Sequence, residues 1–148
     1  MTCIDCGKKI GYSEHKESME SLGVELCKHH TKLIKKVILN NNTPIEAVQL
    51  FYALRVAGTN PMLEWWDGKK SVDIAISRVK LNIDIDTESK TVTHEEALSD
   101  LEEAMRLFKR GFTTLRIPSV TVKFYLKETV ENILGIIEGL KANIKVIG

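Results

Sequence analysis

The chain has 148 residues, 43% of them apolar and 28% charged, which is enough for one compact domain with a buried core. Its 21 lysines and arginines nearly balance 20 aspartates and glutamates, so the net charge of +1 gives no overall attraction to nucleic acid or anionic membranes. No apolar run reaches the roughly 18 residues of a membrane span, and residues 1–9 lack the apolar core of a signal peptide. We therefore expect an intracellular, cytoplasmic protein.

The N-terminal segment contains two residue pairs with the spacing of metal ligands. The pairs are C-x2-C and C-x2-H, formed by Cys3, Cys6, Cys27 and His30. Zinc prefers four tetrahedral thiolate and imidazole ligands, and this spacing lets each pair reach one ion. We therefore predict a structural Zn²⁺ site, with Gly7 allowing the sharp turn after the first pair. His29 is an alternative fourth ligand, and free thiols beside solvated histidines are the alternative interpretation.

Residues 1–42 are predicted to form this zinc-binding module and a connecting helix. Short strands are expected between the two ligand pairs, at Ile10, Tyr12, Val24 and Leu26. A helix should then run from about Cys27 to Leu39 and end at three asparagines. Six lysines around the module could contact phosphates, or form a solvated surface offset by nearby glutamates: Lys8, Lys9, Lys28, Lys32, Lys35 and Lys36.

Residues 43–148 are predicted to form an α/β domain with a mixed central sheet of about four strands flanked by helices, in the order α-β-β-β-α-β-α. The Thr43-Pro44-Ile45-Glu46 run is typical of a helix start with a capping box. The predicted elements are a helix to Ala57, strands over Met62–Trp66, Ser71–Ser77 and Lys80–Asp86, a helix from Thr93 to Gly111, a strand over Phe112–Ile117 and a helix from Val120 to about Ala142.

Carboxylates gather on one face of the predicted hairpin. A turn with Arg78 and Val79 at its tip places Asp73 opposite Asp84, with Asp86 further along the same face. Like charges opposed across a ladder are destabilising unless a cation neutralises them, and Mg²⁺ takes carboxylate oxygens. These acids therefore predict a Mg²⁺ or Mn²⁺ site for phosphodiester hydrolysis.

Three further residues complete the predicted catalytic set. Glu46 could add a carboxylate, and Lys80 and Lys90 are candidate cations for the charge that develops on the phosphate. The alternatives are structural: Glu46 as half of the capping box, and the strand acids as the solvated face of a sheet.

The order of elements, with Glu46, the strand Val72–Ile76 and the strand Lys80–Asp86, resembles the PD-(D/E)XK nuclease superfamily. The segments Glu96–Leu101 and Phe108–Pro118 are similar to those of small endonuclease domains related to the very-short-patch repair endonuclease. The resemblance covers residues 43–140, and the N-terminal module resembles a treble clef.

This resemblance implies that Asp73 and Asp84 hold the metal, that Glu46 supports it and that Asp86 occupies the aspartate of an E-x-D-G segment. The chain departs from that pattern in three places. Asp84 replaces a glutamate, Thr87 replaces a glycine, and Ser89-Lys90 stands where a Gln-His pair is expected, with His94 as a displaced substitute. A lost histidine removes a general acid or base, which favours slow or absent turnover.

We therefore expect a metal-dependent endonuclease that acts on DNA and carries a structural zinc site. A homodimer is compatible with the resemblance, but no stretch of the sequence indicates an interface. The first alternative is a catalytically impaired adaptor that binds nucleic acid or protein on the same fold. The second is a structural interaction protein that uses Trp65 and Trp66 as an anchor pair.

Overall fold

The computed structural model describes residues 1–87 and 93–147, with side chains described up to residue 142. In these ranges, three helices are followed by three strands, a helix, a fourth strand and two further helices. In chain order they are α1 (Tyr12–Leu22), α2 (Lys28–Asn41), α3 (Ile45–Val56), β1 (Met62–Trp66), β2 (Ser71–Ile76), β3 (Leu81–Asp86), α4 (His94–Lys109), β4 (Thr113–Pro118), α5 (Ser119–Phe124) and α6 (Leu126–Ile147).

The four strands form one mixed sheet in the order β1-β2-β3-β4. The first three strands pair antiparallel, as expected for consecutive strands joined by short turns, whereas β4 pairs parallel to β3. A parallel partner requires a crossover connection, and α4 provides it. The predicted α/β class with a four-stranded mixed sheet is therefore confirmed.

The register of β2 and β3 agrees with the sequence prediction. Ile74 pairs with Ile83, and Ala75 pairs with Asn82. A short 3-10 turn over Ser77–Val79 joins the strands, and Lys80 completes it with a positive φ of 51°. The predicted two-residue turn is thus replaced by a longer helical turn of four residues with the same register, because burial of one apolar face fixes which residues oppose each other.

Helix α3 lies between two hydrophobic cores. Its residues Leu50 and Leu54 pack with β2, β3 and α6 in the core of the sheet domain. Its residues Val48 and Tyr52 pack with buried residues of the N-terminal module, among them Leu26. All four α3 side chains are fully buried, so the module and the sheet are packed on opposite sides of one helix.

The predicted short strands of the N-terminal module are wrong, because a helix occupies most of that segment. Helix α1 starts at Gly11, whose amide donates to Glu14, and ends at Gly23, whose φ of 73° is a left-handed conformation. Val24 and Leu26 are buried after this helix and contribute to the core without forming a strand. An isolated bridge between Thr2 and Lys9 forms the only strand-like pair of the described module.

The predicted capping box at the start of α3 is also wrong. The N-cap residue is Pro44, and no side chain caps the helix there. The hydroxyl of Thr43 instead donates to the carboxylate of Glu64 on β1, which also accepts from Ser71. A half-buried carboxylate needs such donors, and it competes successfully for the threonine hydroxyl. Glu46 therefore has no capping role in this helix.

The predicted C-terminal helix is interrupted. Helix α5 ends at Tyr125, whose φ of −134° is not helical, and α6 begins at Leu126. By contrast, Thr93 caps α4 as predicted, since its side chain accepts from the amide of Glu96 at 3.1 Å.

The two tryptophans of β1 differ in exposure. Trp65 is half-buried against Phe112, while Trp66 is 62% exposed.

Candidate metal centre and acidic pair

The two predicted ligand pairs converge on one point. The ligand atoms of Cys3, Cys6, Cys27 and His30 all lie within 4.8 Å of one another. The Nδ1 atom of His30 is 3.2 Å from the sulfur of Cys27 and 3.8 Å from the sulfur of Cys3. A tetrahedral zinc ion with sulfur ligands at about 2.3 Å separates them by about 3.8 Å. These four side chains could therefore hold one zinc ion.

Local backbone structure positions each pair. After Cys3 the chain reverses, with the amide of Gly7 donating to the Cys3 carbonyl and the Cys3 amide donating to Lys8. Gly7 has a φ of 75°, which favours glycine at this turn. Cys27 is the N-cap of α2, so His30 falls in the first turn on the same side as the Cys27 sulfur.

Hydrogen bonds and burial shift the pKa values of the Cys3 and Cys6 thiols in opposite directions. Burial raises the pKa of Cys3, but hydrogen bonds from the backbone at Cys27, Cys6 and Asp5 outweigh it and leave this pKa below the usual thiol value. The backbone of Lys8 lowers the pKa of Cys6, yet burial and the neighbouring sulfurs of Cys3 and Cys27 outweigh it and raise that pKa. A thiolate at Cys3 thus opposes a second thiolate at Cys6, and a divalent cation would remove this repulsion.

The imidazole of His30 is oriented by a carboxylate on its other side. Its Nε2 atom lies 3.2 Å from Oδ1 of Asp5. The other Asp5 oxygen accepts from the hydroxyl of Tyr52 at 2.8 Å and pairs with Arg55 at 3.1 Å. A carboxylate that accepts the second N–H of a ligating histidine fixes its tautomer and raises its basicity. Asp5 therefore connects the metal centre to α3, and this residue was not predicted from the sequence.

The remaining histidines of the module lie outside the cluster. His29 is exposed and its ring packs edge-on against His30, with the ring centres 5.0 Å apart. His15 lies 2.8 Å from the carboxylate of Glu25. The choice of His30 over His29 as the fourth ligand agrees with this arrangement.

The predicted acidic pair, Asp73 and Asp84, forms where the pairing of β2 with β3 ends, away from the turn that joins the two strands. Oδ2 of Asp73 accepts from the amide of Ile85 at 2.8 Å, and Oδ1 of Asp84 lies 3.3 Å from the amide of Asp73. The backbone ladder between the strands ends one pair earlier, at Ile74 and Ile83. The two carboxylates thus bridge the strands where the backbone pairing stops, and both are half-buried.

The other predicted catalytic residues are not gathered around this pair. Within the described ranges, the cysteine–histidine cluster is the sole group of three or more cysteine, histidine or carboxylate side chains within 4.8 Å. Glu46 is half-buried in the first turn of α3, and Asp86 is exposed at the end of β3. Lys80 lies at the opposite end of β3, where its ammonium donates to the Arg110 carbonyl. Lys90 lies outside the described residues.

Sequence reasoning missed the basic and amide side chains beside Asp84. A recess of about 30 Å³ between α4 and the sheet is lined in part by Asp84, Asn82, Lys70 and Arg116. Arg116 is the register partner of Asp84 on β4. The side-chain amide atoms of Asn82 are fully buried and have no hydrogen-bond partner in the part of the chain that the structure describes. Parallel pairing of β4 could not be read from the local sequence, so Arg116 gave no signal.

The six lysines of the module are all exposed. Some of them face the acidic side of α1, where Lys35 pairs with Glu17 and the amide of Lys28 donates to Glu14 at 2.9 Å. These contacts offset part of the positive charge on α2. Lys32 and Lys36 remain among the exposed side chains of that helix.

None of the helices in the described part of the chain combines the length and the apolar character that a membrane span requires. Comparison of the chain with protein-family models, with curated proteins and with solved structures finds no match. The chemistry of the site therefore has to be argued from its own residues.

Proposed function

We propose that this protein hydrolyses phosphodiester bonds in DNA with a divalent metal ion bound at Asp73 and Asp84, and that the cysteine–histidine cluster is a structural zinc site. The observation that carries the proposal is the acidic pair itself. Asp73 and Asp84 each accept a hydrogen bond from a backbone amide of the opposite strand, at 2.8 and 3.3 Å, so both carboxylates lie between β2 and β3, where like charges are unfavourable without a cation.

The donor set suits a hard cation. Mg²⁺ is commonly bound through one or two carboxylates, with substrate phosphate oxygens and water completing its coordination. Asp73 and Asp84 present oxygen atoms only, and backbone amides orient both groups. Asp73 and Asp84 would hold the divalent ion, which would lower the pKa of water to supply a nucleophile and would stabilise charge on the leaving oxygen.

The neighbouring side chains can bind and orient the phosphate. Lys70 and Arg116 line the same recess as Asp84, together with two further acids, Glu103 and Asp100, the latter 3.7 Å from the Arg116 guanidinium. An arginine can hold two phosphate oxygens at once, which positions the bond to be cleaved. The sequence suggested Lys80 as the cation for the phosphate charge, but Lys80 is four residues from Asp84 along the strand, about 13 Å away. In this proposal Arg116 and Lys70 take that role.

A binding protein without turnover is the second candidate function. It is favoured by the two-carboxylate pair, to which no third described carboxylate, cysteine or histidine adds a ligand atom within 4.8 Å. On this alternative the zinc module and the exposed lysines of α2 contact phosphates, and the acidic pair stabilises the hairpin only.

Incubation of supercoiled plasmid with the purified protein and Mg²⁺ or Mn²⁺ tests the proposal. The informative variant is Asp73→Asn, because the amide oxygen of asparagine can still accept from Ile85 while the metal-binding charge is lost. Glu131→Gln is the matched control, since it removes an exposed carboxylate on α6. We expect cleavage by the wild type and by Glu131→Gln, and at least about a hundredfold less by Asp73→Asn.

Intact plasmid in every lane would overturn the nuclease proposal, and so would equal cleavage by all three proteins. Salt-sensitive DNA binding without cleavage would instead support the binding-protein alternative.

A further inference from the structure

Helix α4 presents an apolar stripe to solvent. Four large side chains lie along one face of this helix and are exposed by 57%, 67%, 52% and 74%: Leu98, Leu101, Met105 and Phe108. The opposite face of the same helix is already used, because Glu103 and Leu107 are buried toward the sheet. Contiguous apolar surface of this kind on a folded protein marks an interaction site.

The spacing of the stripe identifies the shape of its partner. The residues follow one another at intervals of three, four and three, which is the repeat of a helix that packs along another helix. A flat or concave partner would not require this narrow seam. The stripe therefore fits a second helix lying alongside α4.

The charges on α4 indicate that the partner helix is α4 of a second copy of the chain. The N-terminal half is acidic, with exposed Glu95, Glu96 and Glu102, whereas the C-terminal end is basic, with exposed Lys109 and Arg110. Two copies packed antiparallel bring the acidic half of each helix against the basic end of the other. The same arrangement places Leu98 opposite Phe108 and Leu101 opposite Met105, so every apolar residue of the stripe meets an apolar residue.

We propose that the protein forms a symmetric dimer through antiparallel packing of α4 from two copies. The proposal does not depend on the nuclease activity, because it uses only residues on the outer face of this helix. In this register Lys109 of each copy lies close to Glu95 of the other. Glu102 approaches Glu102 of the other copy near the two-fold axis, where the two carboxylates repel each other.

Sedimentation equilibrium of the full chain, at protein concentrations from a few micromolar to several hundred micromolar, tests the interface. We expect a dimer of the 16.7 kDa chain. Leu101→Lys should weaken dimerisation at least about thirtyfold, because it places a charge at the centre of the seam. Leu39→Lys is the matched control: it alters an 82% exposed leucine on α2 and should leave the dimer intact. Circular dichroism checks that each variant is folded, and Leu101→Gln replaces Leu101→Lys if the latter is not.

Three charge variants test the antiparallel register. Glu95→Lys should weaken the dimer about two- to tenfold, and adding Lys109→Glu to the same chain should restore it, because the reversed charges meet again across the interface. Glu102→Gln should strengthen the dimer by removing the repulsion at the axis. A monomeric wild type, or a dimer that survives Leu101→Lys and Leu101→Gln, would overturn the proposal. A Glu95→Lys defect that Lys109→Glu fails to rescue would overturn the register.

Discussion

Asp5 and His30 form a contact that joins the cysteine–histidine cluster to the rest of the protein. Nε2 of His30 lies 3.2 Å from Oδ1 of Asp5, while Nδ1 of the same ring faces the sulfur of Cys27. The second Asp5 oxygen accepts from Tyr52 on α3 at 2.8 Å. One carboxylate thus orients a ligand on the module and anchors it to the helix shared by both cores.

Substitution of Asp5 by alanine is expected to weaken zinc binding about 10- to 100-fold, because His30 loses the acceptor that fixes its tautomer. Tyr52→Phe is the matched control: it removes the hydroxyl that donates to Asp5 and leaves the contact between Asp5 and His30 in place. Competition with a chromophoric chelator measures both affinities. Equal affinities for Asp5→Ala and the wild type would show that Asp5 does not orient His30.

Removal of the metal is expected to unfold the N-terminal module. Purified protein should contain one equivalent of zinc, and Cys27→Ser should remove it. Serine can still cap α2 by accepting from the amide of His30, so this variant separates loss of the ligand from loss of the cap. Structural zinc contributes on the order of 10 kcal/mol in isolated zinc-finger peptides, so the loss should be visible in a thermal melt.

His29→Ala provides the control for this experiment, since the exposed His29 ring only packs against His30. It should retain full zinc content. Wild-type protein that purifies without zinc and melts identically with and without chelator would contradict the prediction.

Much of the sheet domain could be predicted because its signals are local. The alternation of Leu81, Ile83 and Ile85 with polar residues specifies a strand with one buried face, and all three side chains are buried. The spacing of Asp73 and Asp84 around a short turn similarly specifies which residues lie opposite each other. The ligand set of the metal centre depends on spacing in the same way.

The features that could not be predicted depend on distant residues. Asp5 gained its role from Tyr52 and Arg55, which are far away in the sequence. Thr43 stands where the sequence predicts a helix cap, but its hydroxyl instead donates to the half-buried carboxylate of Glu64 on β1. Helix α1 could not be predicted because its sequence is largely polar, and only the packing of Ser18 and Leu22 against the module reveals its buried face.

The close approach of Gly23 and Gln49 marks position 23 as one where a side chain is expected to be unfavourable. A Cβ atom at Gly23 would lie 2.3 Å from Nε2 of Gln49, which donates to the carbonyl of Leu22 at 3.2 Å. Gly23 also has a φ of 73°. Gly23→Ala should therefore lower the free energy of unfolding by more than about 1 kcal/mol, as measured by denaturant titration.

Gly58→Ala separates the two causes, because Gly58 has a φ of 96° but no heavy atom within 4 Å of its Cβ position. It should show the cost of backbone strain alone. A loss at Gly23 no larger than the loss at Gly58 would mean that Gln49 moves aside without cost.

We predict that the difference in stability between the wild type and Asp67→Asn depends on pH. Burial raises the pKa of this carboxyl, but the amides of Lys70 and Lys69, with Glu103 and Arg106 nearby, outweigh it and hold the pKa below the usual value. Because the folded state favours the ionised form, its stabilisation is complete above the unfolded pKa of about 3.9 and is lost as pH falls through the lower folded pKa. Asp67→Asn should thus cost about 1–3 kcal/mol near neutral pH and progressively less in acid.

Denaturant titrations of the wild type and Asp67→Asn at neutral pH and at about pH 3 measure this difference. Glu131→Gln, an exposed change on α6, should stay within about 0.5 kcal/mol of the wild type at both values. Acid also releases zinc from thiolate and imidazole ligands, but it does so in every variant. The difference between Asp67→Asn and the wild type therefore isolates the carboxylate, and a difference that does not shrink in acid would contradict the prediction.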